Sequence, residues 1–129
     1  MDELVRWLGE QLDAEEAEAR LTADAFGAVW TTDDAMESVG SETGADVVSE
    51  PYAPRSFIAE HDPARVLREI EAKRKLLARW RELQDRIEGE PDEAKRGNLA
   101  LTRHGLDMFV YQFGAVYADR TGYKESWRP

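Results

Sequence analysis

The side chains best suited to chemistry in this sequence are its two histidines. His61 is followed by Asp62, and His104 precedes Asp107 by three residues, which places that pair on one face of a helix. Imidazole and carboxylate groups together can ligate a metal ion or transfer protons. One hypothesis is therefore a small metal-dependent enzyme that uses His61 and His104. The alternative is that both histidines are ordinary surface residues and that Asp62 caps a helix.

Motifs of other reaction types are missing from the sequence. The chain has no cysteine, so it has neither a thiolate nucleophile nor the sulfur ligands of structural zinc sites. It also has no Gly-rich phosphate loop, no G-x-S-x-G elbow and no H-E-x-x-H pair. We therefore predict a protein that is not an enzyme, with no catalytic residue, no metal ligand and no cofactor.

A basic segment lies within this acidic chain. RVLREIEAKRKLLARWR, residues 65–81, has seven basic and two acidic side chains, whereas the whole chain has a formal net charge of -10. On a helix, four cations recur at intervals of seven, four and seven residues and form one line, the basic ridge: Arg68, Lys75, Arg79 and Arg86. The ridge is either the solvated face of an amphipathic helix or a partner-binding site. Nucleic acid is not the expected partner, because the charge of the whole chain repels phosphates.

Negative charge is concentrated in the first half of the chain. Residues 1–62 have 16 acidic and 3 basic side chains, whereas residues 63–129 have 11 acidic and 14 basic ones. Carboxylates such as Glu3, Glu10 and Asp13, spaced along a helix, can imitate the phosphates of DNA. An acidic mimic that inhibits a host DNA-binding protein is therefore an alternative function. The plainer interpretation is a solubilising surface.

Three amphipathic helices must position these groups. A stripe with three- and four-residue spacing predicts a helix over residues 2–25: Met1, Val5, Leu8, Leu12, Ala19 and Phe26. Asp62 as N-cap and Pro63 at the first helical position predict the start of a second helix, over 63–88. Its seam follows a seven-residue repeat: Val66, Ile70, Lys73, Leu77, Trp80, Gln84 and Ile87. Apolar surface at Trp80 and Leu76, which flank this seam, would suit a second copy of the chain. A homodimer is therefore an open alternative.

The third helix is predicted over residues 91–118. Its apolar seam contains Leu99, Leu106, Phe109, Phe113 and Val116. Glycine weakens a helix by about 1 kcal/mol relative to alanine, so the helix could break near Gly97. The polar tail, residues 119–129, is expected to dock through Tyr123 and Trp127.

Between the first two helices, residues 27–54 lose the helical period. The β-branched runs at 28–32 and 45–49 predict a small β-hairpin with a long loop, supported on the helices through Trp30 and Val47. The predicted fold is therefore mainly α. Three long helices pack antiparallel, with the hairpin inserted between helices one and two, in a single domain of residues 1–129.

No apolar run is long enough to cross a membrane, and the N-terminal segment is acidic where a secretory signal is basic. A cytoplasmic location without membrane contact is expected.

MDELVRWLGEQLDAEE, HDPARVLREIEAKRKLL and YADRTGYKESWRP resemble a family of small uncharacterised proteins from actinobacteria and their phages. The resemblance covers both ends of the chain and the start of the central helix, where His61, Asp62 and Pro63 match, as do Tyr117, Asp119, Tyr123 and Trp127 in the closing motif. Phe57 stands where the family pattern often has histidine, and Thr121 and Gly122 replace its His-Pro pair. The resemblance implies kinship and no particular reaction. The resulting prediction is a non-enzymatic phage or prophage accessory protein that binds another protein.

Overall fold

The computed structural model describes residues 1–49 and 54–129. The helices are α1 (Asp2–Phe26), α2 (Arg55–Glu60), α3 (Pro63–Gly89) and α4 (Glu93–Ala115), and the strands are β1 (Trp30–Asp33), β2 (Ser38–Ser41) and β3 (Asp46–Val48). A 3₁₀ turn spans Glu125–Trp127. The end of the predicted hairpin region, residues 50–53, lies outside the described residues.

The predicted fold class is confirmed. The chain is mainly helical, with three long helices; α1 packs against α3, and α3 packs against α4. A small antiparallel sheet lies between α1 and α2. No helix in the two described ranges is both long and apolar enough to span a membrane.

Contacts divide the chain into two compact units. Unit 1 contains residues 1–11 and 73–129, and unit 2 contains residues 12–72. The long helices α1 and α3 each contribute residues to both units. The prediction of a single domain stays a prediction.

The core of unit 1 is built from α1, α3, α4 and the tail. Its buried side chains are Leu4, Val5, Trp7, Leu8, Leu77, Trp80, Leu83, Val110, Tyr117 and Trp127. The Trp7 ring lies at the centre of an aromatic cluster, with its centroid 5.4 Å from that of Trp127 and 5.9 Å from that of Tyr123. The tail therefore packs on the first turns of α1 through the two rings named from the sequence.

The sheet of unit 2 has one strand more than the predicted hairpin. Its order is β1-β2-β3, so the central strand β2 lies within the segment that the sequence assigned to a loop. Val39 of β2 is fully buried and pairs with Thr32 on one side and Val48 on the other. Pairing on both edges stabilises this strand, whose sequence SVGS has little intrinsic preference for the extended conformation.

Helix α1 ends where a glycine adopts a left-handed conformation. The N–H of Gly27 donates to the carbonyl of Ala23 at 2.8 Å, and its φ is 86°. A Cβ at this position would lie 2.7 Å from Ser41 Oγ, so any side chain here would also collide with β2. Glycine is therefore required both for the helix end and for the approach of the sheet.

Helix α3 begins as predicted, because the Asp62 carboxylate accepts a hydrogen bond from the N–H of Arg65 at 2.8 Å. Ile70, Leu77 and Trp80 of its predicted seam are buried. The Trp80 ring is 2% exposed and so offers no surface for a second copy of the chain.

Helix α4 is continuous from residue 93 to 115, without a break near Gly97. Asp92 caps it by accepting a hydrogen bond from the N–H of Lys95. Packing against α3 outweighs the small intrinsic cost of each glycine. The predicted seam of α4 was partly wrong: Phe109 and Val116 lie on the exposed side of the helix, and the buried side includes Val110 and Gly114.

Candidate functional site: the outer face of helix α4

The side of α4 that points away from the core of unit 1 is uncharged and largely apolar. Four large side chains there are more than half exposed: Leu101 (72%), Met108 (66%), Phe109 (56%) and Val116 (66%). We call this side the α4 outer face. Its residues, all exposed, are Ala94, Asn98, Leu101, Thr102, Gly105, Met108, Phe109, Gln112 and Val116. They follow the three- and four-residue spacing of one helix side.

Every exposed residue from position 97 to position 116 lacks a formal charge when His104 is neutral. In a chain in which 34% of residues are charged, an ordinary solvated helix face of this length would include several charged residues. Contiguous apolar surface of this kind marks sites of association with another molecule. The α4 outer face is therefore the strongest candidate for a binding surface.

Polar contacts with α3 fix the rotation of α4 about its axis. The indole N–H of Trp80 donates to Asp107 Oδ1 at 2.7 Å, and the Arg103 guanidinium donates to Gln84. These bonds hold the two charged residues of this stretch, Arg103 and Asp107, on the α3 side. The apolar residues on the opposite side of α4 are thereby directed outward.

Gly114 fixes the close packing of α4 on α1 within unit 1. A Cβ at Gly114 would lie 3.1 Å from Leu4 Cδ1, and the Leu4 side chain is fully buried. The two helices are therefore in direct contact at this point.

The pair His104 and Asp107 has a structural explanation. Nδ1 of His104 lies 3.5 Å from Asp107 Oδ2, but the His104 side chain is 77% exposed. Asp107 is the acceptor for the buried Trp80 indole. The Asp107 carboxylate accepts the hydrogen bond of a buried donor in the interface between α3 and α4. This hydrogen bond favours a structural role for Asp107.

His61 and Asp62 also have local partners. His61 Nδ1 lies 2.7 Å from the carbonyl oxygen of Phe57, and the two rings stack at 4.1 Å. Asp62 is buried and, besides capping α3, accepts a hydrogen bond from the N–H of Trp30 in β1 at 3.2 Å. Its carboxylate thus joins the sheet to the start of α3. His61 belongs to unit 2 and His104 to unit 1.

Among the described residues, no group of three or more His, Asp or Glu side chains is arranged to hold a metal ion. The metal-dependent alternative therefore gains no support from the described part of the chain.

The four residues of the basic ridge are all exposed. Arg79 donates to Glu82 at 2.7 Å, and Arg86 lies 4.0 Å from the other oxygen of the same carboxylate. The hydrogen bond and charge of Arg79, together with the charge of Arg86, lower the pKa of Glu82. The ridge is therefore partly neutralised by its own helix. Arg68 lies in unit 2 and Lys75 in unit 1.

A groove of about 250 Å³ lies between α1 and α3 in unit 1. Its lining is Asp2, Val5, Arg6, Trp80, Arg81, Gln84, Asp85 and Glu88. The lining includes three carboxylates and two guanidinium groups, so neither sign of charge strongly dominates the groove.

The acidic residues singled out in α1 divide between the two units. Glu3 and Glu10 belong to unit 1, and Asp13 belongs to unit 2. Glu3 accepts a hydrogen bond from Lys124 in the tail at 2.6 Å, which lowers the pKa of this carboxyl group. The net charge differs between the two units. Unit 2 has 15 acidic and 4 basic side chains, whereas unit 1 has 12 acidic and 13 basic ones.

Comparison with known proteins gives a family without an assigned activity. The model of a family of unknown function, DUF6221, matches residues 1–129. The chain belongs to this family. No curated protein and no solved structure matches the chain. Family membership extends over the whole chain, and it assigns no reaction or partner.

Sequence reasoning did not identify the α4 outer face, although a signal for it was present. Leu101, Met108 and Val116 recur at seven and eight residues on one side of the helix. Leu99, Leu106 and Phe113 recur at seven residues on the other side. Two apolar stripes on one helix are more than one buried side requires, and this excess was the signal for an exposed apolar face.

Proposed function

We propose that this DUF6221 protein is a non-enzymatic accessory protein that acts by binding another protein through the α4 outer face. The observation that carries the proposal is the exposed, largely apolar surface along α4 from residue 97 to residue 116, on which every exposed residue lacks a formal charge when His104 is neutral. Binding that removes water from such a surface lowers the free energy of the system. The residues of the α4 outer face have no charge whose desolvation would oppose binding. The resemblance of HDPARVLREIEAKRKLL and YADRTGYKESWRP supports a role in actinobacteria, in a phage or prophage context, and the lack of a long apolar run in the sequence supports a cytoplasmic location.

A variant pair tests the proposal. Leu101→Glu places a carboxylate in the middle of the α4 outer face, and it should leave the fold intact because Leu101 is 72% exposed. Leu21→Glu makes the same change at a 69% exposed leucine on α1. Immobilised wild type and immobilised Leu21→Glu should each retain the same proteins from an actinobacterial lysate, or each should bind further copies of its own chain. Leu101→Glu should do neither.

The outcomes are separable. Equal binding by all three proteins would overturn the role of the α4 outer face. Turnover of a metabolite, or a stoichiometric metal ion in the purified protein, would contradict the non-enzymatic assignment.

An acidic mimic of DNA is the second candidate. The net charge of unit 2, with 15 acidic against 4 basic side chains, favours it because a dense carboxylate surface can occupy a phosphate-binding groove. This candidate predicts salt-sensitive binding to a basic host DNA-binding protein. Charge reversal at Asp13 and Asp24, two exposed carboxylates of unit 2, should abolish that binding, and charge reversal at Arg68 should not. Binding that is insensitive to Asp13 and Asp24 would exclude it.

The basic ridge is a weaker partner site in this proposal. Two of its cations share the carboxylate of Glu82, so part of their charge is already compensated. Reversing the charge of Arg79 and Arg86 together should change partner affinity less than Leu101→Glu does. If the arginine changes lowered partner affinity more than Leu101→Glu does, the partner would bind α3 and not the α4 outer face.

A further inference from the structure

We infer that the partner of the α4 outer face is a second copy of the same chain, with the two α4 helices antiparallel and crossing at Gly105. This inference rests on the proposed function, because it names the protein that binds this face. It places the homodimer contact on α4, whereas the sequence had left it open on α3.

Three pairs of residues on the α4 outer face match in type about Gly105, whereas Thr102 and Met108, three residues before and after it, do not. Leu101 and Phe109 lie four residues before and after it, and both are large and apolar. Asn98 and Gln112 lie seven residues before and after it, and both are amides. The small apolar Ala94 and the apolar Val116 lie eleven residues before and after it.

The three matched pairs suit a two-fold interface, in which each residue must be complementary to the one it meets in the second copy. When two antiparallel helices cross at residue 105, each residue faces the one at the same distance on the other side of Gly105 in the second copy. Leu101 then faces Phe109 of the second copy, and Asn98 faces its Gln112. Apolar groups meet apolar groups, and two amides, each both a donor and an acceptor, meet each other.

The backbone at the crossing point is open to a close approach. A Cβ built on Gly105 meets no atom within 4 Å, so nothing in the described part of the chain covers this position. A glycine at the crossing lets two helix backbones approach closely and brings the flanking Leu101 and Phe109 side chains into contact.

Electrostatics permit this pairing despite the formal net charge of -10. The α4 outer face has no formal charge, and unit 1, to which it belongs, has 12 acidic and 13 basic side chains. A partner with charged residues at the contact would bury them without counter-ions, whereas a second copy of this face buries none.

Paired charge variants test both the dimer and its orientation. Sedimentation of the wild type over a range of concentrations should show a species of twice the 14.7 kDa chain mass. Leu101→Glu and Phe109→Lys should each raise the dissociation constant at least about 30-fold, because each buries an unpaired charge. Leu21→Glu, the matched control on α1, should dimerise as the wild type does.

Mixing the two variants gives the decisive result. In an antiparallel pair, the carboxylate introduced at position 101 of one chain faces the ammonium group introduced at position 109 of the other, and the remaining contact is the native leucine and phenylalanine pair. The mixture should therefore form dimers at concentrations at which each variant alone is monomeric. Dimers of both single variants, or a mixture that stays monomeric beside a dimeric wild type, would overturn the antiparallel pairing.

Different outcomes of these experiments test the proposed function and the identity of the partner. A monomeric wild type that binds a different protein, with loss of that binding in Leu101→Glu, would overturn the second copy as partner and leave the proposed function standing. A monomeric wild type with no binding that depends on Leu101 would overturn both.

Discussion

Asp62 shows how much one side chain contributes at the residue scale. Its carboxylate accepts from the N–H of Arg65 at the start of α3 and from the N–H of Trp30 in β1. Because Asp62 is buried, its removal would leave two backbone donors without a partner in a place that water reaches poorly. The two hydrogen bonds of Asp62 thus give this residue a role in folding, and no catalytic role is needed to explain it.

Asp62→Ala should lower the free energy of unfolding by about 2–3 kcal/mol, since it removes a helix cap and leaves a second N–H unsatisfied. Asp92→Ala is the matched control, because Asp92 caps α4 at an exposed position through one hydrogen bond. It should cost about 1 kcal/mol. Urea denaturation of both variants measures the difference. Equal losses would contradict the role of Asp62 in joining β1 to α3.

Glu42 gives the protein a measurable pH dependence. Desolvation raises the pKa of this carboxyl group, but hydrogen bonds from the N–H groups of Ala28 and Val29 outweigh it, so the pKa lies below its ordinary value of 4.5. A lowered folded-state pKa contributes stability that is fully present above the unfolded-state value and is lost as the pH falls through the folded-state value.

Glu42→Gln should therefore be less stable than the wild type at neutral pH, and the difference should shrink as the pH falls below 4.5. Urea unfolding at several pH values measures it. Asp46→Asn, a change at an exposed carboxylate of β3, serves as the control. A difference between wild type and Glu42→Gln that grows on acidification would show that the two backbone hydrogen bonds do not stabilise the ionised form.

At the scale of elements, α3 was predictable because its signals are local. Asp62 and Pro63 specify its start, and a seven-residue repeat specifies its buried side. Strand β2 was not predictable, because the burial of Val39 depends on pairing with two other strands. The orientation of α4 was predicted only in part, since both of its stripes are apolar. Hydrogen bonds with α3, such as the one between Trp80 and Asp107, decide between them.

Two glycines of α4 should respond to substitution with opposite signs. Gly97→Ala should raise the free energy of unfolding by about 1 kcal/mol, because a Cβ there meets nothing within 4 Å and alanine favours the helix. Gly114→Val should lower it by about 1–3 kcal/mol, because the side chain would overpack the buried Leu4. Thermal and urea unfolding of both variants measure the effects. Stabilisation by Gly114→Val would contradict the packing of α4 on α1.

At the scale of the whole molecule, the acidic character of the chain belongs to unit 2. Repulsion among its 15 acidic and only 4 basic side chains opposes the compact state, and salt screens that repulsion. Hydrogen exchange should therefore slow in the sheet when salt is added, and it should change little in α4. Equal slowing in both units would show that repulsion is spread over the whole chain. The sequence revealed the asymmetry of charge, but assigning it to a compact unit required the contacts.

The central claim is that the α4 outer face is covered by the same face of a second copy. The chain has no cysteine, so Gly105→Cys and Gly97→Cys each introduce a single thiol. In an antiparallel pair crossing at residue 105, the two thiols introduced at that position meet, whereas two thiols introduced at position 97 lie about 24 Å apart along the axis, too far for a disulfide. Mild oxidation should cross-link Gly105→Cys into a covalent dimer and leave Gly97→Cys monomeric. Equal cross-linking of the two variants, or none at residue 105, would contradict the account.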